Sequence, residues 1–290
     1  MNRFDRASLP WVALVAHLAA LIFGLVGLLI MLPNPDLWSS DPNAVKVFNW
    51  SMEHAGATHI VFGAIAMALF GWLAIGWRKT GIFFLVTYAV SLGFELFGTS
   101  TGWPFGNYAY TDFLGVKVLG HVPWTIPLSW FYMGLAAYLI GTWLVHRLGG
   151  GRAFWGVLAG AWLLTAWDLV LDPAMAHESL RVKFWVWDEQ GPYFGMPIKN
   201  FAGWVATGFI FMAISRWLWR EDARLNVSEL RLPAVVFVAN MIFAMVISAS
   251  VGLWIPILIA ILVAGAPFAL ARYDRRFLTG RPGLSLSNDR

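Results

Sequence analysis

Three acidic side chains lie inside long apolar stretches of the chain, where a charge is costly. They are Glu95, Asp168 and Asp172, while the other thirteen of the sixteen Asp and Glu residues fall in predicted loops and tails. A carboxylate within a transmembrane helix costs about 2.5–3.5 kcal/mol on insertion scales, so such residues usually have a function. Asp168 and Asp172 are four residues apart, which places them one turn apart on the same helix face.

The spacing of Asp168 and Asp172 predicts acid chemistry. Burial and a like-charged neighbour both favour the neutral form of a carboxyl group. All three acids also stand near the predicted C-terminal ends of helices, where the macrodipole opposes negative charge. We therefore expect the pair to titrate as one unit that keeps a proton near neutral pH. A proton-holding acid in an apolar pocket can serve as a general acid.

Aromatic rings and glycines crowd the connections that follow these acids. The first stretch reads ELFGTSTGWPFGNYAYT (95–111), and the connections 99–124 and 173–196 are both rich in Gly, Pro and aromatic residues. Electron-rich ring faces stabilise cations, and an acid that protonates an alkene creates a carbocation. The combination predicts a pocket in which carboxyl groups supply a proton and rings stabilise the cation. An aromatic belt at the membrane interface is the alternative explanation.

Composition places the chain in a membrane. Of its 290 residues 59% are hydrophobic and 12% charged, and the mean hydropathy is +0.66, whereas a soluble domain carries about 25% charged residues. Runs of about 20 apolar residues span a bilayer as helices, and the sequence contains eight: 10–32, 57–76, 80–98, 125–146, 153–172, 197–216, 232–249 and 251–271. The first is too long for the apolar part of a signal peptide, so we expect it to be retained. The last two could instead form one hairpin.

The sequence therefore predicts an all-α fold, a polytopic integral membrane helical bundle of about eight transmembrane helices. We expect it to form a single membrane domain over 1–290, with the core motifs in 90–205, and to lie in the cell membrane. The absence of cysteine excludes disulfides and thiolate metal sites.

Basic residues are distributed unequally between the two sides of the predicted bundle. One side has fifteen of them and the other has five, so the positive-inside rule places both termini in the cytoplasm. The larger set is Arg3, Arg6, Arg78, Lys79, Arg147, Arg152, Arg216, Arg220, Arg224, Arg231, Arg272, Arg275, Arg276, Arg281 and Arg290; the smaller is Lys46, Lys117, Arg181, Lys183 and Lys199. This asymmetry explains the net charge of +4 without nucleic-acid binding. The segment 272–290 is predicted to be a basic cytoplasmic tail with affinity for anionic lipid headgroups.

Four stretches in the middle of the chain resemble the CruF-type carotenoid hydratases. They are ELFGTSTGWPFGNYAY (95–110), VPWTIPLSW (122–130), WDLVLDPAM (167–175) and WVWDEQGPYFGMPIKNFAGW (185–204). The resemblance implies a membrane enzyme that adds water across the terminal 1,2-type double bond of a linear ψ-end carotenoid to give a tertiary alcohol. Lycopene, γ-carotene and a C50 precursor are the implied substrates. The implied reaction needs an acid, a positioned water and a dry channel, so we expect no metal, nucleotide or other cofactor.

The implied hydration assigns roles to particular residues. We expect Asp168 and Asp172 to supply the proton and Glu95 to orient or deprotonate the water. Four polar residues are predicted to hold the water or the acids at the substrate-binding site: Asn107, Tyr108, Tyr193 and Asn200. Four indoles are predicted to line the substrate pocket, although packing is an alternative role for each: Trp103, Trp124, Trp167 and Trp187. The expected partners are the carotenoid, membrane lipid and other carotenoid-pathway enzymes.

Three other functions remain open at this stage. The DLVLD segment (168–172) has the DxxxD spacing of UbiA-type prenyltransferases, but Leu164 stands where their fuller NxxxDxxxD pattern has Asn. A membrane di-iron hydroxylase needs clustered histidine boxes, and the six histidines form neither HxxxH nor HxxHH. A proton-coupled lipid transporter would also use intramembrane acids, although it would place them near the bilayer midplane.

The charge asymmetry makes a prediction about topology. Reporter domains fused after Arg152 and after Arg224 should be cytoplasmic, and one inserted within 178–190 should lie outside, because the positive-inside rule governs short loops. Protease protection in intact and opened cells measures each location. A reversed pattern would contradict the predicted orientation.

Overall fold

The computed structural model describes residues 6–148, 153–220, 223 and 225–279, with 270–279 as backbone only. In this part of the chain the predicted all-α bundle of eight helices is confirmed. The helices are α1 Leu9–Val26, α2 Pro42–Ala74, α3 Trp77–Thr101, α4 Ile126–Arg147, α5 Ala153–Ala176, α6 Ile198–Trp219, α7 Arg231–Ser250 and α8 Trp254–Thr279. The first seven are long and apolar enough to cross a membrane, and α8 contains a shorter apolar stretch, Trp254–Ala269.

Helix α2 begins fifteen residues before the predicted start of its span at 57. Asp41 caps it by accepting a hydrogen bond from the Asn43 backbone N–H at 2.8 Å, and Pro42 occupies the first turn, where its missing N–H costs nothing. Its 33 residues extend about 50 Å, well beyond a hydrocarbon core of about 30 Å. Glu53, which the sequence analysis placed in a loop, is therefore helical, with a side chain 74% exposed.

The end of the bundle contains the two separate helices that were predicted, but the second extends further than predicted. Helices α7 and α8 are separate, joined at 251–253 through Gly252, whose positive φ of 79° suits glycine. Helix α8 packs against α5 and continues past the predicted end at 271. The predicted basic tail is thus helical as far as Thr279, and its remainder lies outside the described residues, as do Arg3, Arg152 and Arg224 of the charge map.

Helices α4 and α5 form the centre of the bundle and cross at glycines. A Cβ atom on Gly141 of α4 would lie 2.6 Å from the backbone nitrogen of Gly160 on α5. A Cβ on Gly160 would in turn lie 2.9 Å from Tyr138 Cα. Small residues allow such close approach of two backbones, which is how membrane helices gain packing energy without a hydrophobic driving force.

The two long connections fold onto the end of the bundle where the acids lie. Strand β1, Tyr108–Tyr110, pairs antiparallel with β4, Trp185–Trp187, so that Tyr108 faces Trp187 and Tyr110 faces Trp185. Lys117–Val118 (β2) and Val122–Pro123 (β3) form a second short pair. Because side chains alternate along a strand, the four rings of the β1–β4 ribbon share one face, and the exposed Val186 points the other way.

The α4–α5 crossing generates a prediction about stability. Gly141→Ala should lower the apparent thermal midpoint of the detergent-purified protein, because the added methyl group meets backbone that cannot rotate away; overpacking of this kind costs about 1–3 kcal/mol. Gly81→Ala is the matched control, since a Cβ there meets nothing within 4 Å. An unchanged midpoint for Gly141→Ala would contradict the close crossing.

Candidate active site

Glu95 lies six residues before the end of α3 and is buried. Its carboxylate accepts hydrogen bonds from three neutral donors. Tyr108 and Tyr110 donate their hydroxyl protons to Oε2, the latter at 2.9 Å, and Trp130 Nε1 donates to Oε1 at 2.9 Å. The donors come from the β1–β4 ribbon and from the first turns of α4, so the folded loop completes the environment of this acid.

The two tyrosines act as donors because they keep their protons. Burial raises the pKa of Tyr108 well above its ordinary value, and the adjacent Glu95 raises it further. Burial likewise raises the pKa of Tyr110, and Glu95 contributes again. A phenol that stays protonated beside a carboxylate donates a short, charge-assisted hydrogen bond. The tyrosines therefore hold Glu95 without neutralising it.

Asp168 and Asp172 stand one turn apart on α5 and share one amide. Asn200, at the start of α6, donates from Nδ2 to Asp168 Oδ2 at 2.9 Å and to Asp172 Oδ2 at 2.5 Å. Asp172 Oδ1 also accepts from Trp185 Nε1 at 3.0 Å. Asp168 Oδ1 is buried and accepts no hydrogen bond from the described residues. Asn200 therefore couples the two acids into one hydrogen-bonded unit.

No described basic side chain pairs with these three acids. The ion pairs between charged side chains in the described residues, Lys117–Asp112 and Lys199–Glu189, lie in the connections. Three negative charges in an apolar interior without a cation would cost several kcal/mol each. The described residues also contain no group of three or more His, Asp and Glu side chains arranged to hold a metal ion. For the coupled pair Asp168 and Asp172 the arrangement favours a bound proton as the counter-charge.

A cavity of about 290 Å³ opens in front of Glu95 and Asp172. Its walls are mainly apolar and aromatic, and Asp168 lies behind them. Trp130 and Trp204 stack with ring centroids 4.0 Å apart, and Trp167 meets Trp204 edge-on at 5.9 Å. Trp38 and Phe48, whose rings stack at 4.0 Å, also line the cavity. A long apolar molecule can therefore enter with one end beside the acids.

The structure brings four of the eight predicted substrate-binding residues to this cavity. These are Tyr108, Trp167, Trp187 and Asn200. All three predicted catalytic acids lie at the same place, with Glu95 and Asp172 on the cavity wall.

The other four predicted binding residues lie away from the cavity. Trp103 is 60% exposed, and Trp124 is 39% exposed beside Gly115. Asn107 donates from its backbone and side-chain nitrogens to Glu189, each at 3.1 Å, and so joins the two connections. Tyr193 donates to the Leu169 carbonyl at 2.8 Å. An aromatic residue type within a motif does not distinguish a surface ring from a pocket ring.

Sequence reasoning missed four residues that complete the site: Tyr110, Trp130, Trp185 and Trp204. All four lie within the motifs that carry the resemblance. The YAY and WVW triplets did contain a signal, because aromatic residues at alternate positions in two loops indicate paired strands with one ring-bearing face. Trp130 and Trp204 had no comparable signal, since a Trp near the end of an apolar helix is common.

Similarity to known proteins agrees with the motifs. The bisanhydrobacterioruberin hydratase of Haloarcula japonica is 32% identical over 200 residues, which are 66% of this chain and 61% of that relative. The match thus spans about three fifths of the relative's own length. No solved structure matches the chain.

A family profile described as "Carotenoid biosynthesis protein" matches residues 55–267. The matched segment begins within α2 and includes both connections, Glu95, Asp168, Asp172 and the rings around them. The family profile confirms the family resemblance that the four motifs indicate. The chain belongs to the carotenoid biosynthesis protein family.

Proposed function

We propose that this protein is a carotenoid hydratase that adds water across the terminal double bond of a linear ψ-end carotenoid and forms a tertiary alcohol. The observation that supports this most directly is the placement of Glu95 and Asp172 at the wall of an aromatic cavity, without a basic partner among the described residues. The named activity of the Haloarcula japonica relative belongs to the same class of reaction.

Asp172 is the proton donor in this proposal. It lines the cavity, whereas Asp168 lies behind it and is linked to it through Asn200. Asp172 gives its proton to one carbon of the terminal alkene, whose π electrons form the new C–H bond and leave a tertiary cation on the other carbon. Asp168 keeps its own proton, and the Asn200 amide, which donates to both carboxyl groups, stabilises the carboxylate that Asp172 becomes. General acid catalysis by a positioned carboxyl group contributes typically 10²–10⁴-fold in rate.

The aromatic walls stabilise the cation and keep water from reaching it at random. The stacked faces of Trp130 and Trp204 and the ring of Tyr108 line the same space as Asp172. A ring face within about 6 Å of a cation stabilises it by about 2 kcal/mol or more when both are desolvated. These rings also match the flat, conjugated chain of a carotenoid.

Glu95 holds the water that captures the cation. A carboxylate oxygen can accept more than one hydrogen bond, and Oε1 has a single described donor, Trp130. The water oxygen forms the C–O bond, and the proton that it then loses passes to Glu95. Return of that proton to Asp172 through solvent restores the starting state, so atoms and charge balance without an oxidant.

Isotope labelling tests the reaction directly. The protein is expressed in a lycopene-producing bacterium in water enriched in ¹⁸O, with and without air, and the pigments are analysed by chromatography and mass spectrometry. We expect a pigment heavier by one molecule of water that carries the solvent's oxygen, formed equally well without air. Unchanged lycopene beside membrane-inserted protein leads to a ψ-end C50 precursor as the next substrate, and unchanged pigment there as well would contradict the proposal.

Substitution of the acids tests their roles. Asp172→Asn, Asp168→Asn and Glu95→Gln should each reduce turnover at least tenfold, because an amide neither donates an acidic proton nor accepts one. We expect the largest loss for Asp172→Asn. Asp112→Asn is the control, since Asp112 is 94% exposed and pairs with Lys117 at 2.8 Å, outside the cavity. Full activity in all three variants, with normal membrane insertion, would refute the assignment.

A further inference from the structure

A second polar cluster lies beside the same cavity, with His59, Tyr132 and Asn240 in the cavity wall, and the proposed chemistry does not use it. It consists of His17, His59, Tyr132 and Asn240, which come from α1, α2, α4 and α7. The three acids stand on α3 and α5. A molecule that fills the cavity from the acids towards α2 therefore meets this cluster as well.

The hydrogen bonds within the cluster fix the proton positions. Asn240 Nδ2 donates to the Val236 carbonyl at 2.8 Å and lies 3.0 Å from His17 Nε2. Because an amide NH₂ only donates, His17 Nε2 is the acceptor, and its proton resides on Nδ1. His17 Nδ1 then donates to the His59 carbonyl at 2.7 Å. Tyr132 donates to Asn240 Oδ1 at 2.9 Å.

The His59 ring presents a lone pair to the cavity. Its Nδ1 lies 3.4 Å from the Ala55 carbonyl, a long contact in which only the nitrogen can donate. The proton on Nδ1 leaves Nε2 as an acceptor, and no described residue donates to it. Tyr132, which also lines the cavity, has committed its own proton to Asn240. The His59 Nε2 atom and the Tyr132 hydroxyl oxygen can therefore both accept a hydrogen bond from an O–H group in the cavity.

We propose that His59 and Tyr132 form a hydroxyl-binding subsite for an isoprenoid substrate that already carries an alcohol group. The hydroxyl donates its hydrogen bond to His59 Nε2 while another part of the same molecule lies beside Asp172; this substrate class rests on the proposed function. The His17–Asn240–Tyr132 network anchors the subsite, since His17 holds the α2 backbone at His59 itself. A polar network buried among apolar helices is costly unless fully partnered, and an alcohol supplies the remaining partner.

Binding measurements test the subsite without requiring turnover. The purified protein in detergent is titrated with two linear ψ-end carotenoids that differ by one tertiary hydroxyl group, and quenching of tryptophan fluorescence reports binding. Trp130 and Trp204 lie in the cavity wall and provide the signal. We expect a Kd lower by about fivefold or more for the hydroxylated compound, as one hydrogen bond provides. In His59→Leu the two Kd values should agree within about twofold.

Two further variants separate recognition from folding. His59→Gln keeps an acceptor oxygen and should retain part of the preference, with a ratio of Kd values between those of the wild type and His59→Leu. His54→Leu is the matched control, because His54 is on the same helix but stacks on Trp50 outside the cavity, and it should keep the full preference.

Equal binding of both carotenoids by the wild type would overturn the subsite, and so would a preference that survives in His59→Leu. Turnover of the same two compounds is recorded in parallel. A hydroxyl preference without any hydrated product would contradict the hydratase and leave the subsite standing, whereas hydration with equal binding would contradict only the subsite.

Discussion

Carboxyl groups buried without a basic partner among the described residues are the constraint on which the rest of this structure depends. Glu95, Asp168 and Asp172 lie inside an apolar bundle, and every described hydrogen bond to their oxygens comes from a phenol, an indole or an amide. Neutral donors reach all of these oxygens except Asp168 Oδ1, as burial favours, but none of them brings a positive charge. An arginine or lysine in their place would hold the acids permanently ionised and remove their protons from chemistry.

The two long connections provide several of those donors from the end of the bundle where the acids lie. Tyr108 and Tyr110 serve Glu95, and Trp185 serves Asp172, yet these residues lie about 75 positions apart in the chain. Antiparallel pairing of two three-residue strands sets all three at a fixed register. Asn107 and Lys199 both donate hydrogen bonds to Glu189 and so link the two connections and the start of α6. The hydrogen bonds from Lys199 and Asn107 hold the pKa of Glu189 below its usual range. Backbone pairing of the two connections thus sets part of the cavity wall.

The sequence was sufficient to predict the bundle and the acids because both are determined by the cost of polarity in lipid. Apolar runs located the eight helices, and Glu95, Asp168 and Asp172 stood out within them. The predicted length of α2 was too short, because its first turns precede the apolar run and carry ordinary polar residues. The sequence did not show which of the predicted indoles lie at the cavity. Trp167 and Trp187 line it, whereas Trp103 is exposed at the surface. The position of Trp187 follows from the pairing of β1 with β4, whereas Trp167 lies on α5 and Trp103 lies before the ribbon.

The absence of a described cation beside these acids also bears on the energetics of the proposed reaction. In a pocket of low dielectric, opposite charges attract far more strongly than in water. A carbocation formed beside Asp172 would be the positive charge that Glu95 and the ring faces lack in the resting protein. Preorganised groups of this kind stabilise a transition state without having to reorient during the reaction. Tyrosine and tryptophan donors therefore do two things at once: they make buried carboxyls tolerable before the reaction, and they leave the electrostatic gain to the transition state.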